Sequence, residues 1–139
     1  MGRIQFFTED VDFKLSHPRK TTNWIKQTII QEGKAPGEIN FILCSDEYLL
    51  VVNQEYLNHN TYTDIVTFDN SEEKDSIDGD IFISIDRVRE NAIKFKKSAD
   101  EELHRVIIHG ILHLIGYSDK TKALKAKMRE LEDSYLAKR

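Results

Sequence analysis

The alternation of apolar and polar positions cuts the chain into short blocks with two different periods. Ile4–Phe7 reads as a short first strand. Trp24, Ile25, Thr28 and Ile29 recur at helical spacing behind Pro18, which predicts a helix over about 18–32. Gly33, Pro36 and Gly37 predict a turn. Ile39, Phe41 and Leu43 alternate around Ile42 as in a second strand, and Ser45 can cap a helix running to about Leu57. Ile65, Val66, Thr67 and Phe68 predict a third strand within Asp64–Asp69. Ile81–Ile85 predicts a fourth, following a turn at Asp78-Gly79. Asp86–Lys96 reads as a helix with Val88, Ala92 and Phe95 facing inward.

The next block differs in kind. Ser98 with Glu101 three residues on is a capping-box signature. The helix it opens carries Leu103, Val106, Ile107, Ile108, Ile111, Leu112, Leu114 and Ile115, apolar nearly all round. Such a helix belongs at the centre of a fold. A last helix over about 121–137 places Leu124, Met128, Leu131 and Tyr135 at core spacing. Helices and strands interspersed over 139 residues predict a single α+β or α/β layered domain spanning residues 1–139. The strand order is not readable from these patterns.

Within that central helix lies His109-Gly-Ile-Leu-His113-Leu-Ile-Gly116-Tyr-Ser-Asp119. Two histidines four apart share one helix face, about 40° apart around the axis. Gly116 can stop the helix, because glycine accepts the left-handed conformation of a C-terminal cap. The chain can then return Asp119 toward the histidines. Two imidazoles and a carboxylate supply three ligands for a divalent metal and leave a position open, as in catalytic zinc sites. The competing reading is a pair of structural histidines. Burying two unpartnered imidazoles costs a few kcal/mol, which a metal would offset. Metzincin peptidases carry a glutamate general base directly after the first histidine, and here that position is Gly110. The two-histidine-one-carboxylate iron site of oxygenases is usually built on a β-barrel, and no barrel pattern is present.

Charge refines the picture. The net charge is −4, which argues against indiscriminate nucleic-acid binding. Residues 69–80 set six acidic residues against Lys74 alone, whereas 86–97 and 120–139 are basic. Two basic helices near the metal motif can meet phosphates, though solvated helix faces have the same appearance. Cys44 is the only cysteine, so no internal disulfide forms, and it reads as a buried strand residue. There is no membrane-spanning run and no secretory signal pattern, so a cytoplasmic location is expected.

From about residue 38 onward the chain resembles the YbeY family of bacterial ribosomal-RNA maturation factors, zinc-dependent endoribonucleases. The family signature His-Gly-x-Leu-His-Leu-x-Gly-Tyr-Asp-His is matched from His109 to Tyr117, with Ser118-Asp119 in place of its final Asp-His. Asn53-Gln-Glu-Tyr56, Thr63-Asp64-Ile65-Val66-Thr67-Phe68 and Gly79-Asp80-Ile81-Phe82-Ile83-Ser84 look like three further family segments, and Met128 falls where the last helix carries its methionine. The resemblance implies an α+β fold with the metal helix against a mixed sheet of about four strands. It implies zinc held by His109, His113 and residue 119. It also implies a single-strand-specific endoribonuclease serving small-subunit rRNA 3′-end maturation and ribosome quality control, with the small ribosomal subunit and ribosomal or assembly proteins as partners.

Three departures shape the expectation. Asp119 stands for the family's third histidine, and a carboxylate makes the site more tolerant of manganese or iron. Leu57 aligns with the family's functional arginine, and Tyr62 with its proline. Leucine cannot clamp a phosphate as arginine does. His59, Arg87, Arg89, Lys120 and Lys122 are the candidates for RNA contact. No residue is identified as general base, and Asp64 and Asp80 read as caps of turns or strand ends. Tyr117 is expected to pack beside the metal or to hydrogen-bond the substrate. The alternatives to an RNA hydrolase are a non-catalytic, metal-stabilised ribosome-assembly factor and a hydrolase of another substrate.

Overall fold

A computed structural model describes residues 2–57 and 63–139. Its elements are β1 (Arg3–Glu9), α1 (Pro18–Gln31), β2 (Ala35–Cys44), α2 (Asp46–Leu57), β3 (Ile65–Asp69), β4 (Ser76–Ser84), α3 (Ile85–Lys94), α4 (Ala99–Ile115) and α5 (Lys122–Leu136). The strands form one mixed sheet in the order β1-β2-β4-β3. β1 and β4 both run parallel to β2, and β3 is antiparallel to β4. The α+β class with a four-stranded mixed sheet is therefore the observed one.

Alternation along the strands decides which helices cover which face. Ile39, Phe41, Leu43, Ile81 and Ile83 point to one side and share the main core with α1 and α4. Cys44 and Val66 point to the other, where Leu49 and Val52 of α2 close a smaller core. Cys44 is fully buried, and burial, with the nearby carboxylates of Asp86 and Asp46 behind it, pushes its thiol up to about 12.

α4 is the centre. It packs against α1, α3, α5, β3 and β4. Leu103, Ile107, Ile108, Ile111 and Leu112 are all at most 1% exposed. Burial of such side chains stabilises by about 1.5–3 kcal/mol each. Ser98 caps α4 as the capping box requires: its Oγ accepts from Glu101 N at 3.0 Å, and its own N–H donates to Glu101 Oε1 at 3.2 Å. Ser45 caps α2 through Tyr48 N at 3.0 Å, and Ser84 caps α3 through Arg87 N.

Four local expectations yield to longer-range contacts. Pro36 and Gly37 lie inside β2, where the register with β4 shifts between Pro36 and Ile39. A bulge is where a sheet tolerates proline. Asp78-Gly79 lies within β4, because Gly79 pairs with Asp69 and the Asp78 carboxylate accepts from Glu38 N at 2.7 Å. Phe95 ends α3 and is 54% exposed, and Leu124 in the first turn of α5 is 41% exposed. Helical spacing defines a face but not how far the neighbouring element reaches along it.

Gly110 lies where α4 packs tightly on the sheet. A Cβ there would lie 2.9 Å from Ile65 Cδ1 and 3.2 Å from Ile81 Cγ2. The position that holds the peptidase glutamate thus faces the core, away from the histidine face. Gly110→Glu is expected to lower unfolding stability by about 3 kcal/mol or more, through overpacking and a buried carboxylate. An unchanged denaturation midpoint would contradict this packing.

Candidate metal centre and its cleft

α4 presents His109 and His113 on one face, and its end delivers the third group. Gly116 has φ +124° and donates to the carbonyls of Leu112 and His113 at 3.2 and 3.0 Å. This conformation is open to glycine and strained for other residues. Tyr117 N then bonds Leu112 O at 3.0 Å, and the chain turns back. Tyr117 OH donates to Glu32 Oε1 at 2.6 Å, and Tyr135 OH donates to Glu32 Oε2. Glu32 thereby ties the segment between His113 and Asp119 to α1 and α5. The Tyr117 hydroxyl is engaged in this anchor, where a hydrogen bond to substrate was one of its two expected roles.

The three candidate ligand atoms converge. His109 Nε2 and His113 Nε2 are 3.0 Å apart, and Asp119 Oδ2 lies 3.5 and 3.6 Å from them. Ligands about 2.1 Å from a tetrahedral zinc lie about 3.4 Å from one another, so this triangle fits a divalent ion. The donor set fits as well. His109 Nδ1 donates to Glu132 Oε2 at 2.6 Å, which leaves the lone pair of a neutral ring on Nε2, facing His113. Two ring nitrogens at that distance need a proton or a cation between them. The three groups form a cluster in which one ligand atom from each lies within 4.8 Å of the others.

Glu132 supports this arrangement from behind. It is 6% exposed and also accepts from Arg105 Nη1 at 2.9 Å, while Arg105 Nη2 donates to Asp133 at 2.6 Å. A carboxylate on the far nitrogen of a histidine ligand fixes its tautomer and raises its basicity. Nothing in the motif points to Glu132. It does, however, follow Met128 by four residues and precede Tyr135 by three, and so lies on the inward stripe of α5. A charged residue at a core position was the available signal.

A model of the Endoribonuclease YbeY family matches residues 3–139. The chain belongs to the YbeY family. Similar curated relatives, each named Endoribonuclease YbeY, include one from Flavobacterium psychrophilum. It is 51% identical over 130 residues, covering 94% of this chain and 92% of the relative. One from Cytophaga hutchinsonii is 49% identical, covering 98% of this chain and 95% of the relative. A solution structure of a Thermotoga maritima protein is similar at a TM-score of 0.64. It shares 28% identity over 96% of this chain and 87% of the other.

Against this YbeY framework the remaining expected contacts separate. Arg87 Nε donates to both carboxylate oxygens of Asp46 at 3.1 Å. Arg89 donates to Asp12 O at 3.0 Å and lies over the Phe13 ring. Both arginines thus tie elements of the fold together. Lys120 and Lys122 are exposed beside Asp119 but do not line the neighbouring cleft. His59 and Tyr62 lie outside the described residues. Leu57 ends α2, exposed and apart from the cleft. Asp80 lies mid-strand in β4, not at a strand end, and accepts from Asn40 and Asn70, whereas Asp64 lines the cleft. That cleft has a volume of about 400 Å³ and includes His109, Asp119, Lys125 and Arg129.

In the metal-free protein the two histidines are driven apart. Burial pulls His109 toward its neutral form, but the hydrogen bond and charge of Glu132, with Asp119 added, outweigh it and raise its pKa above 6.5. Burial, then the charge of His109, holds His113 below that value. NMR titration of the metal-free protein should show this split. The stability from His109 is full below pH 6.5 and lost as pH rises through its folded pKa. His113 has the opposite sign, costing stability as pH falls below 6.5. Glu132→Gln is expected to weaken metal binding by about 10- to 100-fold in a chelator-competition titration. Unchanged affinity would remove Glu132 from the centre.

Proposed function

We propose that the chain is a divalent-metal-dependent, single-strand-specific endoribonuclease acting in maturation of the small-subunit rRNA 3′ end and in ribosome quality control. The observation that carries this reading is the convergence of His109, His113 and Asp119 at the edge of a cleft, in a chain of the YbeY family. The relatives' shared name, Endoribonuclease YbeY, supports RNA phosphodiester hydrolysis.

His109 Nε2, His113 Nε2 and Asp119 Oδ2 are the ligands of this proposal. Zinc is the favoured ion, and the carboxylate keeps manganese and iron compatible. Such an ion, when bound, supplies Lewis-acid polarisation of a phosphoryl oxygen and activation of water. The protein's own contribution is preorganisation. Glu132 holds the His109 tautomer, Arg105 holds Glu132, and Glu32 holds the turn that carries Asp119. As a ligand, Asp119 loses the basicity a general base needs. RNA and the small ribosomal subunit are the proposed partners, with ribosomal or assembly proteins beside them, in the cytoplasm. No helix among the described residues is long and apolar enough to cross a membrane.

The test is cleavage of a single-stranded RNA spanning the small-subunit rRNA 3′ end, by tag-free protein and by identically purified His113→Ala. The variant should lose bound metal and at least about 100-fold in cleavage rate, since metal chemistry supplies several kcal/mol. Metal-loaded wild-type protein that cuts nothing would favour the assembly-factor reading, which the apolar Leu57 keeps in play. Equal cutting by both proteins would trace the activity to a contaminant and sink the assignment.

A further inference from the structure

The cleft beside the metal ligands has walls of different chemistry. α4 supplies the floor through Val106 and His109, while α3 and α5 both pack on α4 and contribute the sides. Among the described residues, three cations line the cleft. Arg105 is already held by Glu132 and Asp133. Lys125 and Arg129 are different: both are exposed, and neither side chain makes an ion pair among the described residues. They stand four residues apart on α5 and so share one helix face.

No cation of α3 is among the described residues lining the cleft, although Lys94 Nζ lies 5.6 Å from the centre of the Phe95 ring. α3 offers Phe95, at the end of the helix and 54% exposed, with Asn91 one turn earlier. A ring left half in water costs free energy, and folding has not buried this one. Asp64 and Glu102 also line the cleft, and both repel a phosphate. Phosphate binding therefore depends on cations that no carboxylate holds in an ion pair. A cationic edge beside an open aromatic ring is the chemistry that holds a single nucleic-acid strand, with phosphates on the charges and a base on the ring.

We propose that α3 and α5 form a nucleotide clamp beside the metal ligands, in which Lys125 and Arg129 hold the phosphates of a single RNA strand and Phe95 stacks on a base. This inference rests on the endoribonuclease reading for its substrate class and adds the groups that grip it. The clamp makes no sequence-specific contact, because every base has a face to stack. It also assigns the phosphate contacts to the body of α5, leaving Arg87 and Arg89 to their structural pairings.

The test is binding of a short, fluorescently labelled 2′-O-methyl oligoribonucleotide to zinc-loaded protein across a salt series, with the oligonucleotide shown intact on a denaturing gel after each titration. Arg129→Ala and Lys125→Ala should each weaken binding severalfold and each reduce the salt slope by about 0.7. Phe95→Ala should weaken binding about fivefold or more and leave the slope unchanged. Lys20→Ala, on α1 and lining a separate depression, serves as control and should change neither. Zinc affinity and the circular dichroism spectrum should be unchanged in all four variants, which separates the clamp from folding or metal loss. Wild-type binding that survives Arg129→Ala and Phe95→Ala unaltered would overturn the clamp, as would no wild-type binding at all. Clamp-dependent binding by a wild-type protein that never cuts RNA would instead retain the clamp and reject the endoribonuclease reading.

Discussion

The contact between Glu132 and His109 is the constraint on which the rest of the site depends. α4 has to be apolar enough to lie at the centre of the fold, yet it carries two imidazoles on one face. Buried rings without partners would destabilise it. A buried carboxylate from the neighbouring helix satisfies one ring nitrogen and aims the other at the ligand cluster. The carboxylate itself needs a partner, and Arg105, one turn before His109 on the same helix, provides it. The α4–α5 packing and the electrostatics of the centre are thus one arrangement.

The third candidate ligand is held differently. Asp119 sits beyond the end of α4, where a helix no longer dictates geometry. The Gly116 stop sets the direction of the turn, and two tyrosines converging on Glu32 hold that turn against α1 and α5. The anchor uses neither imidazole nor the Asp119 carboxylate, so the segment is braced without engaging the candidate ligand atoms. Gly110 completes the logic from the opposite side of the helix. Its missing side chain lets α4 approach Ile65 and Ile81. A glutamate there would meet the sheet before it met a substrate.

Charge segregates around the same helix. Carboxylates near the ligands are either buried, as Glu132 is, or face the cleft, while the cations of α5 stand on its edge. The basic residues at 86–97 look equally suited to RNA in composition, but their arginines are spent on Asp46 and on the segment at Asp12–Phe13. A charge count along the chain cannot separate a cation that bridges two elements from one that faces solvent.

Much of the molecule is determined by the sequence itself, because short-range periodicity and capping need only neighbours. The buried helix from Ser98, its stop at Gly116 and the spacing of His109, His113 and Asp119 follow from residues within a few turns of one another. So do the nine elements, to within a few residues at most ends. The tertiary structure decided what neighbours cannot. Pro36 and Asp78-Gly79 have turn chemistry, but strand pairing draws them into the sheet. Phe95 has core chemistry, but no element reaches far enough to cover it. Glu132 lies 23 residues from His109 and Glu32 lies 85 from Tyr117. Their roles exist only once the helices pack, since a carboxylate's partner is set by which surface folding brings against it.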